Sequence, residues 1–126
     1  MKSSGVNIVA TYCLWSLHEE FEGELSWKDH LNLHRFVELC KEVGLKVYLR
    51  IGPYCNAEIR NGGLPDWIVG IIIPARSNDP LYLEYVRRWY EAVYSQVKGM
   101  MYKDGGPVIA VQLENDMLFP DRLFLI

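Results

Sequence analysis

The sequence predicts an α/β fold in which parallel strands alternate with helices in the order β-α-β-α-β. Three near-continuous apolar runs, rich in β-branched residues, lie at Val6 to Trp15, Leu45 to Ile51 and Val108 to Leu113. Two stretches with helical periodicity separate them. Unbroken apolar runs suit strands covered on both faces, as in a parallel sheet. Helical crossovers of this length join parallel neighbours, and such crossovers are right-handed. Two architectures contain this order, an open doubly wound sheet and a slice of a (β/α) barrel. Both place function at the C-terminal ends of the strands.

Each element has a local reason. Val6 to Trp15 carries Val6, Ile8, Val9, Ala10, Thr11, Tyr12, Cys13 and Leu14, as a doubly covered strand requires. Ser26-Trp27-Lys28-Asp29 has the form of a capping box ahead of the first long helix. That helix shows an apolar stripe at Leu33, Phe36, Val37, Cys40 and Val43, and Gly44 stands where a C-terminal cap is expected. Asp79-Pro80 opens the second long helix with proline at its first position. Its stripe is Tyr82, Val86, Trp89, Val93, Val97 and Met100, and Asp104-Gly105-Gly106-Pro107 marks the turn that ends it. The Gly- and Pro-containing stretch from Gly52 to Asn78 is long for a compact domain and reads as a wall of a binding pocket.

Composition narrows the function. A net charge of -3 supplies no basic stripe to neutralise phosphates, which argues against nucleic acid. No apolar run approaches a membrane span, and Met1 to Gly5 lacks an apolar signal core. The three cysteines, Cys13, Cys40 and Cys55, form no C-x-x-C pair and read as buried thiols, one of them near a site. There is no phosphate loop and no G-x-G-x-x-G, so no cofactor is expected. His30 and His34 lie four apart, but no third ligand accompanies them, so no metal is expected and both read as solvent-facing. Trp15 and Trp67 read as core.

The strand ends carry the chemistry. The first ends in Thr11-Tyr12-Cys13-Leu14-Trp15, followed by His18 and Glu19. The second ends in Gly52-Pro53-Tyr54-Cys55-Asn56-Ala57-Glu58, and the third in Gln112-Leu113-Glu114-Asn115-Asp116. Parallel neighbours bring these ends to one rim. Carboxylates, amides and phenols together suit a polyhydroxylated ligand, whose hydroxyls need both donors and acceptors.

These segments, with Leu49-Arg50-Ile51-Gly52-Pro53-Tyr54, Gly62-Gly63-Leu64-Pro65 and Gly105-Gly106-Pro107-Val108-Ile109, resemble glycoside hydrolase family 35, the β-galactosidases. The likeness covers Gly5 to Asp116 with the motifs in order. It implies a partial (β/α)8 TIM barrel, with this chain, residues 1–126, as a fragment of the catalytic domain carrying barrel strands two to four. It implies retaining hydrolysis of terminal β-galactosyl residues, a β-galactoside as partner, and the remainder of the barrel to close the fold. An exported or lysosomal setting is also implied. The resemblance puts the general acid/base at Asp116, where the family has Glu. Sugar contacts fall on Tyr12, Cys55, Asn56, Ala57, Glu58 and Asn115. The nucleophile would be a glutamate after the seventh strand, beyond this chain, so the chain alone is expected to be inactive.

Further departures from the family are Ile59, where an aromatic is common, and Cys55-Asn56, where Val/Ile-Cys is commoner. Met117 to Ile126 follows the pattern poorly. Arg50 reads as a charge partner inside the barrel, and strand alternation turns Glu114 away from Asn115. A non-catalytic carbohydrate-binding or degenerate barrel remnant is the alternative. Another sugar hydrolase of this barrel clan is a third reading, against which Gly-Pro-Tyr and Gly-Gly-Leu-Pro argue.

Overall fold

A computed structural model describes residues 2–71 and 73–115. Its seven main elements are β1 (Ile8–Tyr12), α1 (Trp15–His18), α2 (Leu33–Glu42), β2 (Lys46–Gly52), α3 (Asp66–Gly70), α4 (Pro80–Val97) and β3 (Val108–Leu113). The strands form one sheet in the order β1-β2-β3, and both pairings are parallel. The expected β-α-β-α-β order is therefore present, with two short helices added near the strand ends.

One face of the sheet is the core. Val47, Leu49 and Ile51 of β2 are buried there with Leu33, Val37 and Cys40 of α2 and Tyr82, Val86, Trp89, Val93 and Val97 of α4. These side chains belong to the apolar stripes of the two helices, while Phe36 is half-buried and Met100 lies beyond the end of α4 at Val97. Burying each one fully is worth roughly 1.5–3 kcal/mol relative to exposure. Val43 departs from its stripe at 52% exposed, because the helix has already ended at Glu42. Gly44 takes the expected left-handed conformation, with φ 73°, and Leu45 N–H returns to the Cys40 carbonyl at 2.8 Å.

The helix starts are capped by side chains. Asp79 accepts from the backbone N–H of Leu81 at 2.9 Å and of Tyr82 at 3.3 Å, with Pro80 in the first turn as expected. The capping box expected at Ser26 to Asp29 is not used. The cap of α2 is Asn32, whose Oδ1 accepts from Arg35 N–H at 2.9 Å. A 3-10 turn at Asp29–Leu31 delays the helix and moves the cap downstream.

The opposite face of the sheet is open among the described residues. Ile8, Ala10 and Tyr12 of β1 lie in register with Lys46, Tyr48 and Arg50 of β2. Ala110 and Gln112 of β3 pair with Tyr48 and Arg50. Within the described residues β1 is covered on its helical side alone, and its second face has no cover. Ile8 is 52% and Tyr12 39% exposed, because no described element covers their side.

All four tryptophans join one aromatic cluster at the end of β1. Trp15 and Trp27 each stack on Trp89 of α4, with centroids 5.6 and 6.0 Å away, and Trp67 meets Trp15 edge-on. Glu19 ties the cluster together. Its carboxylate accepts from Trp15 Nε1 at 2.7 Å, Gly23 N–H at 2.7 Å and Arg88 Nη2 at 3.0 Å. Its carbonyl accepts from Trp67 Nε1 at 3.0 Å. His18 and Glu19 are thus buried struts, not the rim elements their sequence position suggested.

His18 donates from Nδ1 to the Ser26 carbonyl at 3.0 Å and lies 4.3 Å from the Trp27 ring centre. Burial lowers its pKa below the usual 6.5, against the pull of the Ser26 carbonyl. The unfolded chain therefore takes the proton first. The stability from neutral His18 is complete above about pH 6.5 and is lost as pH falls toward the folded pKa. The urea midpoint of the native chain should fall more between pH 7.5 and 5.0 than that of His18→Gln. Equal drops would contradict this burial.

Candidate active site

The site is built from one row across the sheet. Tyr12, Arg50 and Gln112 occupy the same level of β1, β2 and β3. Just beyond them, where β3 ends, stands Asn115. Arg50 ties the row together. Its Nε donates to Gln112 Oε1 at 2.8 Å and its Nη2 to Asn115 Oδ1 at 2.7 Å. Its Nη1 donates to the Tyr12 hydroxyl, while the guanidinium carbon lies 4.3 Å from the centre of the Tyr12 ring. Gln112 Oε1 also accepts from the Tyr48 hydroxyl at 2.9 Å, and its Nε2 donates to Asn115 Oδ1 at 3.1 Å. Two protein donors occupy Asn115 Oδ1, so what this side chain can offer a ligand is its Nδ2 donor.

A cleft of about 490 Å³ opens over this network, lined by Tyr12, Arg50, Cys55, Asn56, Ala57, Glu58 and Asn115. Six of these are the sugar-contact residues that the family resemblance implied. Arg50 is the seventh, and its place in the wall was not anticipated. Glu58 is the carboxylate among the described lining residues. Asp116, the expected acid/base position, lies outside the described residues.

The cleft wall after β2 is a left-handed turn. Asn56, Ala57 and Glu58 have φ of 60°, 46° and 53°. Residues with a Cβ lose roughly 1–2 kcal/mol each in that region, and such conformations cluster where a chain must present side chains to a ligand. Cys55 begins the turn. Its N–H donates to the Gly62 carbonyl at 2.7 Å, and burial pushes its thiol up to about 11, so it contributes a neutral, buried wall.

Tyr54 braces the turn from behind, and Gly62 leaves room for its ring. A Cβ on Gly62 would fall 2.0 Å from Tyr54 Cε2, in a backbone already at φ 61°. Glu114 faces this side of the loop and does not line the cleft, as alternation along β3 implied. Its Oε1 accepts from Tyr54 N–H at 3.3 Å and its Oε2 from Arg76 Nε at 3.1 Å. Burial raises the Glu114 pKa, while Arg76 and the N–H groups of Tyr54 and Asn115 draw it back down.

Arg76 has no counterpart among the residues singled out from sequence, and Gln112, placed on the rim by sequence, has a role there that the structure supplies. Arg76 sits in the long loop with no local signal, since its partner Glu114 is 38 positions away. Register gives Gln112 its role, because it is a polar residue near the end of an otherwise apolar strand, level with Arg50.

Residues 1–122 match the family "Glycosyl hydrolases family 35". The chain belongs to that family. The match extends six residues past Asp116, into the segment from Met117 whose motifs follow the family pattern poorly. The chain is 40% identical over 119 residues to the β-galactosidases of Pongo abelii and Homo sapiens, covering 92% of this chain. It is 38% identical over 117 residues to the β-galactosidase-1-like protein 3 of Mus musculus. The chain spans 17% of the length of the Pongo and human proteins.

Two substitutions test the cleft wall. Ala57→Gly should raise stability by about 0.5–1 kcal/mol, since relief of the left-handed strain exceeds the added chain entropy. Gly62→Ala should lower stability by about 2 kcal/mol or more, through overpacking against Tyr54 and a conformation that alanine resists. Urea denaturation reads both, and changes of the opposite sign would contradict the geometry.

Proposed function

We propose that this chain forms part of the galactoside-binding wall of a retaining β-galactosidase, as strands two to four of a (β/α)8 catalytic barrel. The observation that carries the proposal is the cleft at the C-terminal ends of three parallel strands in a member of family 35. Its lining combines the Tyr12 phenol, the Asn56 and Asn115 amides, the Glu58 carboxylate and the Arg50 guanidinium. This mixture can satisfy the donors and acceptors of sugar hydroxyls. In a (β/α) barrel the C-terminal face is where chemistry occurs. The open sheet face bearing Ala10, Tyr48 and Ala110 would be the barrel interior, completed by the other strands.

Each residue then has a role. Asn115 donates from Nδ2 to a sugar oxygen, and Glu58 accepts from a hydroxyl. Tyr12 presents its phenol and ring edge, while Asn56, with the backbone of Cys55 and Ala57, shapes the cleft. Asp116 takes the acid/base position. A retaining glycosidase needs two carboxyls about 5–5.5 Å apart across the scissile bond. One donates a proton to the leaving oxygen and then activates water, and the other attacks the anomeric carbon. Asp116 is one methylene shorter than the glutamate of the family, a deficit of roughly 1.5 Å in reach. Misplacement of about 1 Å can cost on the order of 100-fold in rate. The second carboxylate would come from a later strand.

The alternative is a non-catalytic carbohydrate-binding or degenerate remnant of such a barrel, which the shorter Asp116 favours. The enzyme reading requires the cleft to bind a galactoside, whereas a degenerate remnant does not. They differ on turnover by a completed barrel.

The purified chain should release no nitrophenol from nitrophenyl β-D-galactopyranoside. Turnover that Asp116→Ala abolishes would contradict this. Binding is read by NMR titration with methyl β-D-galactopyranoside. The amides of Asn56, Glu58 and Asn115 should shift saturably, and Asn115→Ala should weaken binding at least tenfold. Shifts confined to other parts of the chain would overturn the assignment.

A further inference from the structure

We infer that Arg76 is a positioning residue for this sugar site, clamping Asn115 from behind through Glu114 and the Asn115 main chain. The inference rests on the galactoside reading and deepens it. Arg76 lies between α3 and α4, outside the cleft lining. Its guanidinium reaches three groups at the base of the site. Nε donates to Glu114 Oε2 at 3.1 Å, and Nη2 donates to the Asn115 carbonyl at 2.7 Å. The guanidinium also lies over the Tyr54 ring, 3.9 Å from its centre. Arg76 thereby joins the end of β3 to the loop that follows β2.

The clamp acts where the backbone needs holding. Glu114 is at φ 56°, a left-handed conformation for a residue with a Cβ. Its N–H donates to the Gly52 carbonyl at 2.8 Å. The chain turns sharply there, and that turn sets the direction in which Asn115 leaves the strand. Asn115 is consequently fixed at two ends. Arg50 and Gln112 hold its side-chain oxygen at 2.7 and 3.1 Å, and Arg76 holds its carbonyl. Removing Arg76 frees one end and also leaves the Glu114 carboxylate partly buried without its countercharge.

Those two consequences can be separated. Arg76→Ala should lower both the unfolding midpoint and the affinity for methyl β-D-galactopyranoside, the affinity by tenfold or more. Adding Glu114→Gln removes the unbalanced charge, so Arg76→Ala/Glu114→Gln should recover the midpoint but not the affinity. Arg76→Lys keeps the charge without the two-pronged geometry and should fall between. If affinity returns together with stability in the double variant, Arg76 merely balances a charge and the inference fails. Unchanged affinity in Arg76→Ala also overturns it.

A readout independent of sugar accompanies the titration. The Asn115 side-chain amide resonance should move in the double variant and in Arg76→Lys. An unmoved resonance overturns the inference. A moved resonance in a chain that binds no galactoside supports the clamp and removes the sugar reading.

Discussion

The site depends on one guanidinium. Arg50 projects from the central strand and bonds to a side chain of each neighbouring strand and to the residue beyond the last. A lysine at this position could hold a charge there but could not reach in three directions within one plane. Arginine's donors are fixed in a fork, so the positions of Tyr12, Gln112 and Asn115 are set relative to one another. Hydrogen bonds from a charged donor are worth roughly 1.5–3 kcal/mol each. Register supplies the rest, because parallel pairing puts Tyr12, Arg50 and Gln112 at one level before any side chain acts.

Two supports flank this centre. On the helical side, Glu19 gathers Trp15, Arg88, Trp67 and the Gly23 main chain, anchoring the segment after β1 to α4. On the loop side, Glu114 and Arg76 anchor the segment after β3 to the loop after β2. Each support is a carboxylate withdrawn from solvent and surrounded by donors, and neither lines the cleft. Trp89 and Tyr90 of α4 reinforce the end of β2 by donating to the carbonyls of Ile51 and Gly52 at 2.7 Å each. The result is a cleft whose functional groups are held from behind, which lets a left-handed turn at 56–58 persist at its wall.

Much of this was legible from sequence. The strands and long helices follow from apolar periodicity, a signal that depends on local spacing and survives without knowledge of partners. The cap at Asp79 and the stop at Gly44 were equally visible. The Ser26 box failed because a capping pattern states what a residue can do, and Asn32 was closer to the true helix start. The family resemblance located the cleft residues, since strand ends converge once pairing is known. It did not reveal that His18 and Glu19 face inward, because the same short motif can build a rim or the strut beneath it. Arg76 was hidden for a simpler reason. Its meaning lies in Glu114 and Asn115, far along the chain, and no local pattern encodes that meeting.

The proposed role of Arg50 in organising a galactoside site is tested most directly by the affinity of Arg50→Lys for methyl β-D-galactopyranoside. The substitution keeps the charge and most of the aliphatic stem. A single ammonium cannot span Tyr12, Gln112 and Asn115 together, so the row across the sheet would no longer be tied at its centre. Arg50→Lys should bind more weakly by about tenfold or more. Native affinity in Arg50→Lys would show that Arg50 does not organise the site.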